Sequence, residues 1–123
     1  MNPYKAELAN DTPRRTLEDA CDGADVLIGV SRSGVFTADI LKRLNEKPII
    51  FAMANPLPEV LPEVAKELRP DCLIATGRSD YPNQINNVMC FPFLFRAALD
   101  TRSAQIDEPM KMAAARSLAE LAK

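Results

Sequence analysis

Three short apolar runs, "DVLIGV" (Asp25 to Val30), "PIIFAMA" (Pro48 to Ala54) and "DCLIAT" (Asp71 to Thr76), recur at nearly even spacing along the chain. Each is too short for a typical helix and is rich in Ile, Val or Leu without alternation, the pattern of strands buried on both faces of a parallel sheet. Helical stretches lie between them. "TLEDACDG" offers Thr16 as an N-cap, acidic residues for the first turn and Gly23 to end it. "TADILKRLNEK" (Thr37 to Lys47) places Ile40, Leu41 and Leu44 on one face with Lys42, Arg43 and Glu46 opposite. Pro62 suits the first turn of "PEVAKELR", and Pro70 stops it. Strand and helix therefore alternate, which predicts successive β-α units of an open parallel sheet and an α/β fold.

The C-terminal third reads differently. Pro92 breaks or starts a helix in "CFPFLFRAALD", and an Ala-rich helix begins near Pro109, with the acidic "IDEP" at its positive end. No Gly/Ser linker divides the 123 residues, so they read as one domain or part of one.

Composition narrows the chemistry. There is no histidine, which excludes Ser-His, Cys-His and His-metal mechanisms within the chain. Cys21, Cys72 and Cys90 are an odd number without close spacing, as expected of structural thiols in a reducing compartment. The net charge is −2, without the basic stripe that nucleic acid requires. No apolar run approaches the roughly 20 residues of a membrane span, and the first residues lack the apolar core of a signal peptide. These features read as a cytoplasmic protein with neither a nucleic-acid nor a membrane partner.

The polar residues concentrate after each strand: "GVSRSG" (Gly29 to Gly34), "NPLPE" (Asn55 to Glu59) and "GRSDYPNQINN" (Gly77 to Asn87). In an open parallel sheet, ligands bind outside the carboxyl ends of the strands, so the three loops should converge on one rim. The first is an ordinary tight connection or a small-residue loop that lets backbone approach a flat ring. Asn55-Pro56 is a turn or an amide held at a strand end. Asn83, Gln84, Asn86 and Asn87 include helix caps, but one cap would use only one amide. Amides donate to carboxylates and hydroxyls without adding charge, which suits a small polar anion. Arg78 and Asp80 read as a loop-fixing ion pair.

The strings "ADVLIGVS", "KPIIFAMANPLPE", "ATGRSDYPNQINNVMCFPF" and "MNPYK" together resemble the NAD-binding domain of the short, bacterial-type malic enzymes over nearly the whole chain. The resemblance implies a partial Rossmann-type parallel sheet with C-terminal helices. Residues 1–123 would be part of the NAD-binding domain, with its N-terminal half and the catalytic N-terminal domain absent. It implies oxidative decarboxylation of malate to pyruvate and CO₂ with reduction of NADP or NAD, assisted by Mg²⁺ or Mn²⁺, in an enzyme that is a homo-oligomer. By the same resemblance Asn55, Asn86 and Asn87 contact substrate, and Gly29, Val30, Ser31, Asn55 and Asn87 contact cofactor. The family's catalytic Lys and Tyr, its acidic metal ligands and its glycine-rich dinucleotide fingerprint lie N-terminal to the matched segment. No catalytic residue or metal ligand is therefore assigned here, and Tyr4 and Lys5 are not the catalytic pair. Arg32 stands where the family usually has a small residue such as Gly, a departure that bears on the nicotinamide side of its loop. The competing readings are a non-catalytic dicarboxylate- or nucleotide-binding module and a structural fragment whose amides only cap helices. A half sheet also leaves an apolar edge strand, so the isolated chain should aggregate or dimerise.

Overall fold

The apolar runs form three parallel strands, β1 (Val26–Gly29), β2 (Ile49–Ala52) and β3 (Leu73–Thr76), in the spatial order β1-β2-β3. A computed structural model describes residues 2–122. Each strand is four residues long, and the pairing is in step: Leu27 pairs with Ile50 and Ile50 with Ile74, and Gly29 pairs with Ala52 and Ala52 with Thr76. The three carboxyl ends consequently finish level with one another.

Helices α1 (Pro3–Glu7), α2 (Leu17–Cys21), α3 (Ala38–Arg43), α4 (Pro62–Leu68), α5 (Phe91–Asp100) and α6 (Glu108–Leu121) complete the elements, with one 3₁₀ turn at Asn87–Met89. Their starts follow local chemistry. Thr16 and Asp19 form a reciprocal capping box on α2, and the bonds to Thr16 hold the Asp19 carboxyl below its usual range. Thr37 caps α3, Asp107 caps α6, and Pro62 opens α4. Gly23 ends α2 with φ +71°, a conformation that disfavours side chains with a Cβ. The first helix was not apparent from the residue pattern; Asn2 caps it by accepting from the Tyr4 N–H.

One core lies between the sheet and α2, α3 and α4, built from Leu27, Ile50, Ala52 and Ile74 of the strands with Cys21, Phe36, Ile40, Leu41, Leu44, Val60, Ala65 and Cys72. Burial raises the pKa of the Cys21 and Cys72 thiols, as fits their structural role. The expectation that both sheet faces are buried is corrected by the structure. Val26, Ile28 and Leu73 are 47%, 59% and 51% exposed. The reason is topological. Successive strands step in one direction, and right-handed crossovers then put α3 and α4 on the same side. Helices α5 and α6 contain no buried residue and add nothing to the core, and the second face is covered only in part: Ala75 is buried and Ile49 and Phe51 half-buried, while Val26, Ile28 and Leu73 stay open.

Helix α3 is also shorter than its apolar pattern predicts, ending at Arg43 rather than Lys47. Arg69, just past α4, accounts for this. Its Nη1 donates to the carbonyls of Leu41 and Leu44 at 2.9 and 3.0 Å, and its Nη2 to that of Asn45 at 2.6 Å. The same guanidinium pairs bidentately with Asp71, whose carboxylate also accepts from the Lys47 N–H. One side chain thus satisfies carbonyls that the last turn of α3 leaves open and joins α3, α4 and the start of β3.

Arg69→Ala is expected to lower stability by about 2 kcal/mol or more, because it strands those carbonyls, as read by urea unfolding. Arg69 and the Lys47 N–H hold the Asp71 carboxyl well below the usual carboxylate range. A depressed pKa stabilises above the unfolded value, about 3.9, and the contribution fades as pH falls through the folded value. Asp71→Asn should therefore flatten the acid limb of the stability profile without changing its neutral-to-alkaline shape. The partly uncovered apolar face makes concentration-dependent self-association the expected behaviour of residues 1–123 alone, and a strictly monomeric sedimentation profile at about 100 µM would contradict it.

Candidate functional site

Because the strands end level, the loops that follow them share one rim, as anticipated. The first two are locked together by Glu59, whose side chain is fully buried. Its Oε1 accepts from the Ser31 N–H at 2.8 Å and the Ser31 hydroxyl at 3.3 Å, and its Oε2 accepts from the Ala54 N–H at 2.9 Å. Its backbone carbonyl accepts from Gly34 and Phe36, so the loop after β1 is pinned at both ends by one residue. Gly29 makes room for this carboxylate. A Cβ there would lie 2.5 Å from Glu59 Cδ and 2.6 Å from the Phe36 ring. Sequence reasoning treated Glu59 only as the end of a turn. The available signal was an acidic residue between Pro58 and Val60, both of which are buried.

Among the sequence-predicted residues, Gly29 is buried beneath Glu59, whereas Val30 and Ser31 are exposed. Asn55 follows a buried Ala54, precedes a cis Asn55-Pro56 bond, and is exposed. Its side chain makes no hydrogen bond among the described residues.

The third loop is fixed by its own amides. Asn83 donates its side-chain amide to the Ile74 carbonyl, while Thr76 and the 83–85 segment exchange backbone bonds, extending the edge of β3. Asn86 accepts from the Val88 N–H, capping the 3₁₀ turn, and donates to the Gly77 carbonyl at 3.4 Å. It keeps one N–H and one lone pair free. Asn87 and Gln84 are exposed, with side chains that have no partner among the described residues. The four amides therefore divide into two that build the loop and two that it presents.

Arg78 pairs with Asp80 through two bonds, at 2.8 and 2.6 Å, as expected of a loop-fixing pair. It also lies over the Tyr81 ring, whose hydroxyl donates to Glu63 of α4. The Arg78 bond lowers the Asp80 pKa, and the bond to Glu63 raises that of Tyr81. These residues act as struts.

Comparison with known proteins identifies the family. Residues 3–123 match the family described as the malic enzyme NAD-binding domain. The chain belongs to the malic enzyme NAD-binding domain family. It is 53% identical over its whole length to the NADP-dependent malic enzyme of Halomonas elongata, spanning 29% of that protein. It is also 53% identical to the NAD-dependent malic enzyme of Rhizobium meliloti, spanning 16%. Among solved structures, the Entamoeba histolytica malic enzyme superposes on 91% of this chain with a TM-score of 0.83 and 44% identity, the match covering 23% of that chain. A Thermotoga maritima NAD-dependent malic enzyme gives a TM-score of 0.74 and 45% identity over 88% of this chain. The parallel sheet is accordingly the partial Rossmann-type sheet expected of an NAD-binding domain, and the chain spans less than a third of the length of these relatives.

Asn55 and Asn87 present uncommitted amides on loops that Glu59 and Asn86 hold in place. A divalent metal is a different matter. Among the described residues, no three Asp, Glu, His or Cys groups stand together in a way that could hold a metal ion.

Glu59→Gln would turn an acceptor into a donor facing another donor. It should lower stability by about 2 to 3 kcal/mol and loosen both loops together. Gly29→Ala, whose added carbon meets Glu59 and Phe36, should be at least as damaging. Thermal unfolding of the two variants checks both, and a wild-type melting profile for either would refute the lock.

Proposed function

We propose that these residues are the C-terminal half of the cofactor domain of an NAD(P)-dependent malic enzyme, one that oxidatively decarboxylates malate to pyruvate and CO₂. The carrying observation is the level rim of three parallel strands, with Asn55 and Asn87 unengaged, in a chain of this family. When bound, the nicotinamide ring accepts the hydride released from malate. What this chain's residues do is hold and orient. The Asn55 and Asn87 amides bind the substrate carboxylate and hydroxyl and the nicotinamide amide, Asn86 adds its spare N–H to the substrate, and Gly29, Val30 and Ser31 bring backbone against the ring. The neutral donors orient the substrate without neutralising it, and Mg²⁺ or Mn²⁺ bound by the rest of the protein would meet part of its charge. Family membership favours this reading over a non-catalytic binding module.

Localisation in the cytoplasm and assembly as a homo-oligomer belong to the same proposal. Among the described residues no helix is long and apolar enough to cross a membrane. The partly uncovered sheet face and the exposed phenylalanines of α5 support burial against further protein.

In the protein as the cell makes it, Asn55→Ala and Asn87→Ala should each reduce kcat/KM for malate-dependent NAD(P) reduction by about 10- to 100-fold, the cost of a hydrogen bond to a charged or reacting group. Neither should lower thermal stability, because neither side chain has an internal partner. Asn86→Ala should do both, since it also removes a cap worth about 1 kcal/mol. Loss of stability without loss of turnover in the Asn55 and Asn87 variants would return these amides to a purely structural role.

A further inference from the structure

Among the described residues, the rim carries one cation without an ion-pair partner, Arg32. Arg78 is committed to Asp80 and Tyr81. The loop after β2, from Met53 to Leu61, contains no basic residue. Arg32 is exposed and makes no hydrogen bond or ion pair among the described residues. The Glu59 carboxylate, the acidic group attached to the same loop, is buried, and both its oxygens are occupied by Ser31 and Ala54.

The bonds on either side of Arg32 place its backbone. Ser31 on one side is bound through N–H and hydroxyl to Glu59, and Gly34 and Phe36 on the other donate to the Glu59 carbonyl. Residues 32 and 33 therefore form the crest of a loop clamped at both ends, starting three residues beyond the end of β1. A guanidinium held there adds a planar, permanently charged, two-pronged donor to a rim otherwise furnished with neutral amides.

We propose that Arg32 is a binding residue for an oxyanion of the ligands at this rim, either a carboxylate of the dicarboxylate substrate or a phosphate of the dinucleotide, and that it sets affinity for that ligand. The inference rests on the function proposed above. It assigns to this loop a charged contact in addition to the backbone approach at Gly29, Val30 and Ser31. The guanidinium attracts the oxyanion at long range and pairs with it bidentately on contact, so its contribution weakens as salt rises.

The test compares wild type, Arg32→Ala and Arg32→Lys in the protein as the cell makes it. Steady-state kinetics with malate and NADP or NAD, and calorimetric titration of each dinucleotide, are run at low and high ionic strength. Arg32→Ala is expected to raise either the KM for malate or the Kd for the dinucleotide by about 10-fold or more, and whichever moves identifies the source of the oxyanion. Arg32→Lys should restore part of the loss, because it keeps the charge and loses the fork. Melting temperatures should be unchanged in all three, since Arg32 supports no contact within the fold. If wild type turns over and both variants match it in KM, Kd and salt dependence, this inference is overturned and the functional reading stands. If wild type neither binds a dinucleotide nor oxidises malate, the functional reading fails and takes the role of Arg32 with it.

Discussion

The Glu59 side chain is removed from water, and a carboxylate is stable in such a place only where protein donors replace the lost solvent. Here the donors are the Ser31 N–H and hydroxyl and the Ala54 N–H, one set from each of two neighbouring strand ends. The requirement works in both directions. The carboxylate needs those donors, and the loops that carry them gain a shared anchor. Gly29 must be small for the carboxylate to enter, and Ser31 must stand where its hydroxyl can turn inward. Thus the residues nearest the proposed ligand are arranged by a group that need not touch it.

The third loop achieves similar rigidity by different means. It spends two of its amides, Asn83 on a strand carbonyl and Asn86 on a cap and the Gly77 carbonyl, and braces itself on α4 through Arg78, Tyr81 and Glu63. A rim built this way is pre-organised, since its presenting amides sit on backbone whose own hydrogen bonds are already made. For a reaction that depends on holding a small substrate beside a flat ring, such fixed donors contribute more than mobile ones of equal strength.

Much of this was legible in the residues, for reasons that can be named. Uninterrupted Ile, Val and Leu runs separated by capped amphipathic stretches admit few readings other than parallel β-α units, and the rule that ligands sit at strand carboxyl ends then points to all three loops. What escaped was whatever depends on contacts distant in sequence. Glu59 bonds to a residue 28 positions away, and Arg69 reaches back 28 positions to Leu41; neither partnership leaves a local periodicity. The apolar character of Val26, Ile28 and Leu73 pointed to burial on both faces, yet these residues are exposed here, because strand patterning does not tell what covers a face. The division of the amides into two bound and two presented was likewise invisible, because Asn83, Asn86 and Asn87 are chemically the same.

The Arg69 guanidinium has a bearing on how this layer opens. Because it grips three carbonyls around the end of α3 while anchored to Asp71 at the entrance to β3, the end of that helix cannot fray by itself without releasing the approach to the edge strand. Fluctuations that in a six-residue helix would ordinarily be private are thereby shared across the helical layer. In hydrogen-exchange terms, the amides of α3 and those leading into β3 should then exchange as one cooperative unit, so that the rim at the other end of the strands rests on a base that opens as a block.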